Sequence, residues 1–177
     1  AGTLAAVADS GARFAWIPRR AGDRGAIEAG CLPGLLPGGR PVADATARVD
    51  VGAHWGVDSL PGADGLDAVA MLAAAASGQL DALVIGGVEL ADFADAPAAR
   101  DAVEKAGFVV SLENRISEVT ERADVVFPVA IIEERSGTFL DWEHRPGRVN
   151  TVVDLPRAPM TDLRVLAALA DALGRPL

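Results

Sequence analysis

The sequence is poor in the residues that bind metals and form crosslinks. In 177 residues it holds one cysteine, Cys31, and two histidines, His54 and His144. One thiol closes no disulfide within the chain. Nor can it alone hold a zinc or iron–sulfur centre, which takes several Cys or His ligands. The histidines lie far apart, with no paired ligand spacing. Basic residues are also scarce: 16 Lys and Arg against 25 Asp and Glu give a net charge of -9 and a pI near 4.6. A nucleic-acid surface needs clustered Lys and Arg to neutralise phosphates, so no nucleic-acid partner is expected. No apolar run is long enough to span a bilayer, so direct membrane insertion is not expected. The start, Ala1-Gly2-Thr3-Leu4, lacks the basic region and apolar core of a signal peptide. It also lacks Met, so we expect the chain to be part of something longer. Neither a G-x-G-x-x-G fingerprint nor a Walker lysine is present.

What is present is hydrophobic and periodic. Half the residues are hydrophobic, enough for one ordinary domain with a buried core. Alanine-rich 3–9 reads as a helix tail, and the apolar run Arg13 to Ile17, stopped by Pro18, as a strand. Gly and Pro crowd the segment from Arg19 to Pro41, which reads as a long loop. Helices are expected over 67–76, with Val69, Leu72, Ala73 and Ala76 on one face, and over 97–106, with Gly107 as C-terminal cap. In the second of these, Arg100 and Glu104 lie four apart, where they can pair. Strands are expected over 80–87, 108–112 and 124–129, with a helical turn at Ser117 to Arg122. Beyond Val129 the chain is less regular. It ends in a helix over 161–173, with Thr161 as N-cap and Leu163, Leu166, Ala170 and Leu173 on one face. Strands alternating with helices imply an α/β fold with a mostly parallel, Rossmann-like sheet, helices on both faces, an irregular C-terminal segment and a final helix. We divide the chain into an α/β domain over 1–150, truncated at its N-terminus, and a connector with helix over 151–177.

Ligands on such sheets bind beyond the carboxyl ends of the strands. Three loops qualify: Arg19 onward, Gly86 to Ala91, and Glu113 to Ser117. Gly86 and Gly87 could let a backbone approach a phosphate, or could simply supply a turn. Ser136, Gly137 and Thr138 could form an anion-binding turn, or an ordinary one. Glu133, Glu134 and Glu143 have no defined separation and read as acidic surface. His54 beside Trp55 reads as packed or capping, Cys31 as a buried inert thiol, and His144 as part of a surface charge cluster with Glu143, Arg145 and Arg148.

Several segments, taken in order, resemble one family. Ala123-Asp124-Val125-Val126-Phe127-Pro128, Glu134-Arg135-Ser136-Gly137-Thr138-Phe139, Glu143 and Gly147-Arg148 are similar to the "ADVVLP", "EKxGTFxNxE" and "GRxQ" segments of molybdopterin oxidoreductases. Upstream, Gly25 to Pro33 looks like that family's "GAxDMGxxP", and Gly78 to Gly87 like its "GKIKALYIMGENP". The resemblance covers the chain from about Ala12 to Val149. It implies one of two groups. One group binds a molybdenum or tungsten bis-pterin guanine dinucleotide, as formate dehydrogenase does. The other, the large iron–sulfur subunit of respiratory complex I, lacks that cofactor and carries [4Fe–4S] and [2Fe–2S] clusters in its N-terminal part. This chain departs from the cofactor-binding pattern. Gly87-Val88-Glu89-Leu90 replaces Gly-x-Asn-Pro, Ser117-Glu118-Val119-Thr120 replaces Thr-Glu-Thr-Ala, and Asp141 replaces an Asn. Carboxylates beside an anionic dinucleotide are unfavourable. The run from Gly30 to Arg40 looks closest to the complex I group of actinobacterial type. The resemblance thus implies a structural domain with no cofactor or catalytic residue of its own. Its partners would be other peripheral-arm subunits, at the cytoplasmic side of the plasma membrane. Gly86, Gly87, Glu113, Asn114, Ser136, Gly137 and Thr138 would remain as traces of a nucleotide site, with molybdopterin guanine dinucleotide the alternative ligand.

Overall fold

A computed structural model describes residues 11, 17–153 and 155–175. The expected helix tail over 3–9 and most of the strand over 13–17 lie outside the described residues. The first half runs α1 (Asp23–Glu28), β1 (Leu35–Leu36), β2 (Arg40–Pro41), α2 (Ala45–Trp55), α3 (Ala68–Ala76) and β3 (Leu83–Gly86). The second runs α4 (Ala96–Lys105), β4 (Val109–Glu113), α5 (Glu118–Arg122), β5 (Val125–Pro128), β6 (Gly137–Leu140), β7 (Pro146–Val149) and α6 (Asp162–Ala172). Two 3-10 turns, Leu90–Asp92 and Ile132–Glu134, interrupt the loops.

The three apolar runs form one parallel sheet in the order β3-β4-β5. All five residues of the central strand β4 are buried. Its register aligns Val84, Val110 and Val125 on one face, and Ile85, Ser111 and Val126 on the other. The second face is covered by α3, α4 and α5 through Leu72, Ala75, Ala99, Ala102, Val103 and Val119. The first face is covered by α6, where Val165 and Leu169 pack on Val110, Leu112 and Phe127. Each fully buried Val here contributes about 1.5–3 kcal/mol relative to exposure. Just before α6, Met160 pairs in parallel with Val129 and extends the strand direction of β5. A smaller core, Leu36, Val42, Ala47 and Val51, joins the β1–β2 ribbon to α2.

Polar side chains set the boundaries. Asp67 and Asp95 accept from the N–H groups of Ala70 (2.8 Å) and Ala98 (3.0 Å) and so cap α3 and α4. Ser117 and Thr120 cap α5 reciprocally. Asp124 accepts from the Val109 N–H at 2.7 Å, tying the start of β5 to that of β4. Arg122 donates to the carbonyls of Glu104 (3.2 Å) and Ala106 (2.9 Å), filling acceptors that the end of α4 leaves open.

Several expectations are corrected. The Gly- and Pro-rich stretch is not one loop, since it holds α1 and the β1–β2 ribbon. Helix α2 was not expected at all. The segment after Val129 contains the β6–β7 antiparallel ribbon. Gly107 does not cap α4, whose cap residue Ala106 is extended. Glycine is needed there because a Cβ would lie 2.9 Å from the Asp81 carbonyl oxygen. Arg100 pairs with Glu118 at 2.7 Å rather than with Glu104. On α3 the buried residues are Leu72, Ala74 and Ala75, while Val69 is exposed. On α6 the inward residues are Val165 and Leu169, and Leu163, Leu166 and Leu173 face out. In α3 the expected residues Leu72 and Ala76 do meet the core, whereas in α6 packing chose a stripe other than the expected one.

Ser111 is fully buried and its hydroxyl has no partner among the described residues. An unpaired buried polar group costs about 1–3 kcal/mol. We expect Ser111→Ala to raise unfolding stability by about 1 kcal/mol in urea titrations. A loss of stability instead would show that the hydroxyl is bonded in solution.

Candidate functional site

The carboxyl ends of β3 and β4 lie side by side. Gly86 pairs with Leu112, and the Gly87 N–H donates to the Leu112 carbonyl at 3.3 Å. Gly87 then turns the chain with φ +62°, a conformation that disfavours any Cβ. The Glu113 carbonyl accepts from Val129, so the backbone here is held by both neighbouring strands. Glu113 lies in the middle of this edge, and the residue as a whole is only 8% exposed. Burial pushes its carboxyl above the ordinary value of 4.5, and the negative charge of Asp162 adds to the rise. The nearby backbone N–H groups of Gly87, Asn114 and Val88 pull the other way and do not cancel the rise.

Beside this carboxylate, Glu89 of the loop after β3 forms an ion pair with Arg115 of the loop after β4. A cleft of about 440 Å³ opens next to them, lined by Glu113, Asn114, Arg115, Ile116, Val126 and Pro128 among others. Gly86, Gly87, Glu113 and Asn114 therefore converge on one edge. Ser136, Gly137 and Thr138 are exposed at the start of the β6–β7 ribbon. Their neighbour Arg135 bonds Asp162 at 2.5 Å, and Asp162 is the charge felt by Glu113. Arg115 and Asp162 were not singled out from the sequence. Only the strand-end position of Arg115, two residues after Glu113, signalled it.

The remaining candidates do not converge. Asp141 accepts from the N–H groups of Glu143 (2.9 Å) and Arg145 (2.8 Å) and from Arg145 Nε (2.9 Å), closing the ribbon's turn. The Arg145 N–H and guanidinium hold its carboxyl below the ordinary value. Asp141 is thus occupied within its own turn. His144 lies at φ +66° and meets Arg24 and Glu28 of α1 through Nδ1, partners distant in sequence. Glu134 accepts from the Ile131 N–H and Glu143 pairs with Arg145. His54 and Trp55 line a shallow depression with Arg40 and Asp50. Cys31 is exposed, against expectation, because the turn that follows α1 carries it to the surface.

The molybdopterin oxidoreductase family model matches residues 13–172. The chain belongs to the molybdopterin oxidoreductase family. It is 55% identical to the G subunit of the NADH-quinone oxidoreductase of Streptomyces coelicolor over 170 residues, covering 94% of this chain and 20% of that protein. It is 56% identical to the corresponding protein of Mycobacterium tuberculosis, covering 93% of this chain and 21% of that one. The F420-dependent formate dehydrogenase 2 subunit alpha of Methanococcus maripaludis is 28% identical over 151 residues, 85% of this chain and 22% of that protein. The chain spans about a fifth of the length of these relatives.

The family's pterin dinucleotide would bring phosphates to this edge. The residues present do not fit it, since the Glu113 carboxyl stands at the cleft and a second carboxylate, Glu89, takes the nearby Arg115 guanidinium. Among the described residues no group of three or more His, Cys, Asp and Glu side chains is placed to hold a metal ion.

Because the folded-state pKa of Glu113 lies above its ordinary value, the folded chain keeps this proton to higher pH than the unfolded chain. Its contribution is fully present below about pH 4.5 and is lost as pH rises through the folded value. Glu113→Gln removes the charge and keeps the shape. We expect its stability relative to the parent chain to grow from acid to neutral pH in urea titrations. A difference that shrinks over that range would contradict the assignment.

Proposed function

We propose that this chain is a structural and interaction domain of the large peripheral-arm subunit of an NADH:quinone oxidoreductase, and that it binds no dinucleotide itself. The observation that carries this reading is the acidic character of the strand-end crevice, where Glu113 lines the cleft and Glu89 neutralises Arg115. The high identity to the two actinobacterial NADH-quinone oxidoreductase subunits supports the same reading. In this role the domain supports electron transfer from NADH to quinone through [4Fe–4S] and [2Fe–2S] clusters held elsewhere in the subunit. Its partners are the other subunits of the peripheral arm. Its place is the cytoplasmic side of the plasma membrane, as a peripheral part of a membrane complex. Among the described residues no helix is long and apolar enough to cross a membrane. Gly86, Gly87, Glu113, Asn114, Ser136, Gly137 and Thr138 are then traces of a nucleotide site.

A second reading is a guanine-dinucleotide-binding domain of a molybdenum enzyme such as formate dehydrogenase. The cleft beside Glu113 and the formate dehydrogenase relative favour it. Calorimetric titration with GDP separates the two. We expect no saturable binding in the micromolar range. Micromolar binding that is lost on changing Gly86 or Ser136 would establish the second reading.

A further inference from the structure

The cleft beside β4 and β5 joins an apolar floor to carboxylates that lack a cation. Val126 and Pro128 of β5 and Ile116 of the loop after β4 supply the apolar surface, and Ile116 is 81% exposed. Glu113 lines the same cleft, although the residue is only 8% exposed. Among the described residues neither its carboxyl nor that of Glu121, which also lines the cleft, forms an ion pair. The cations nearby are already taken, Arg115 by Glu89 and Arg135 by Asp162. A desolvated carboxylate with no counter-ion is a costly charge, and it is relieved by a cation brought into the same place.

Long basic side chains have the matching form, an aliphatic stem that covers apolar surface and a cationic head. Eight residues line the cleft, against about 20–30 a side in a free-standing protein interface. So small a contact does not hold a separate partner. It suits a segment tethered to this chain, whose docking is intramolecular and needs little affinity of its own. The chain spans only 20% and 21% of its two actinobacterial relatives, so most of a protein of that length lies outside it.

We propose that this cleft docks a Lys or Arg side chain from a segment of the parent polypeptide outside these 177 residues, its stem on Ile116, Val126 and Pro128 and its cationic head at Glu113. Glu121 supplies a second carboxylate to the same head. The inference rests on the structural reading above and names what the strand-end cleft holds in place of a nucleotide.

Two measurements test it. In this chain the Ile116 and Val126 amides and the Glu113 carboxyl are followed by NMR during titration with acetyl-Val-Arg-Val-amide, and with the same peptide carrying neutral citrulline. We expect the arginine peptide to bind in the millimolar range, roughly fivefold or more tighter than the citrulline peptide. Glu113→Gln should erase that preference, and Ile116→Ser, at an exposed position, should weaken both peptides. Equal binding of the two peptides, or a preference that survives Glu113→Gln, would overturn the proposal. Should Glu113→Gln not fold, the arginine peptide should still lower the Glu113 titration midpoint in the parent chain, and an unmoved midpoint counts against the pairing. In the full-length subunit, purified in its complex, benzoylphenylalanine replaces Ile116 and its photo-adducts are mapped. We expect an adduct beside a Lys or Arg of the same polypeptide. An adduct on another subunit or on a segment without a basic residue, or no adduct, sinks the docking. A full-length protein that does not assemble with NADH:quinone oxidoreductase subunits would sink the structural reading instead, whatever the peptides show.

Discussion

The structure depends on burying β4 from both sides. Helices α3, α4 and α5 press on one face and α6 on the other, and the five residues from Val109 to Glu113 lose their water. For Val109, Val110 and Leu112 this is the hydrophobic gain that holds the sheet together. For Ser111 and Glu113 it is a cost. A central parallel strand normally reads as an unbroken apolar run. Here the apolar run is broken at Ser111 and again at the last residue, Glu113, whose carboxyl pKa is pushed up by burial.

The same constraint gives the family's sequence signatures a structural meaning. Asp124 of the Ala123-Asp124-Val125 run bonds the first N–H of β4. Phe139 and Gly147 are register partners across the β6–β7 ribbon, and the phenyl ring lies where a Cβ on Gly147 would be. Asp141 closes the turn between them. None of these roles needs a ligand. A domain can therefore keep the spacing of a nucleotide-binding family for reasons of folding alone, while a carboxylate, Glu89, stands at its strand end.

The parts of the fold that were legible in the sequence are those with strong local signals. The parallel strands carry apolar runs, and α3, α4 and α6 carry Asp or Thr caps ahead of alanine- and leucine-rich stretches. Helix α2 was missed because Thr46, Val49, Val51 and Gly52 weaken its propensity. Its signals were the Asp44 cap, the Ala47–Val51 spacing and Gly56 at φ +67°. The turns from Gly30 to Gly39 hid the short ribbon between them. At the candidate site, Gly86, Gly87 and Glu113 could be placed at strand ends from topology. That Glu113 lines a cleft with Val126 and Pro128, and that Arg115 belongs to Glu89, depends on side-chain directions that no pattern along the chain encodes.

Arg122 has a consequence beyond capping. Its guanidinium holds two carbonyls at the end of α4 and lies near Glu104 and Asp124, so it contacts the helix before β4 and the approach to β5 at once. Asp124 in turn holds the first amide of β4. Fraying α4 would strip Arg122 of its acceptors, and peeling away β5 would strip Val109 of its own. The two successive helix–strand units share one lock, which makes their opening a single cooperative event rather than two independent ones.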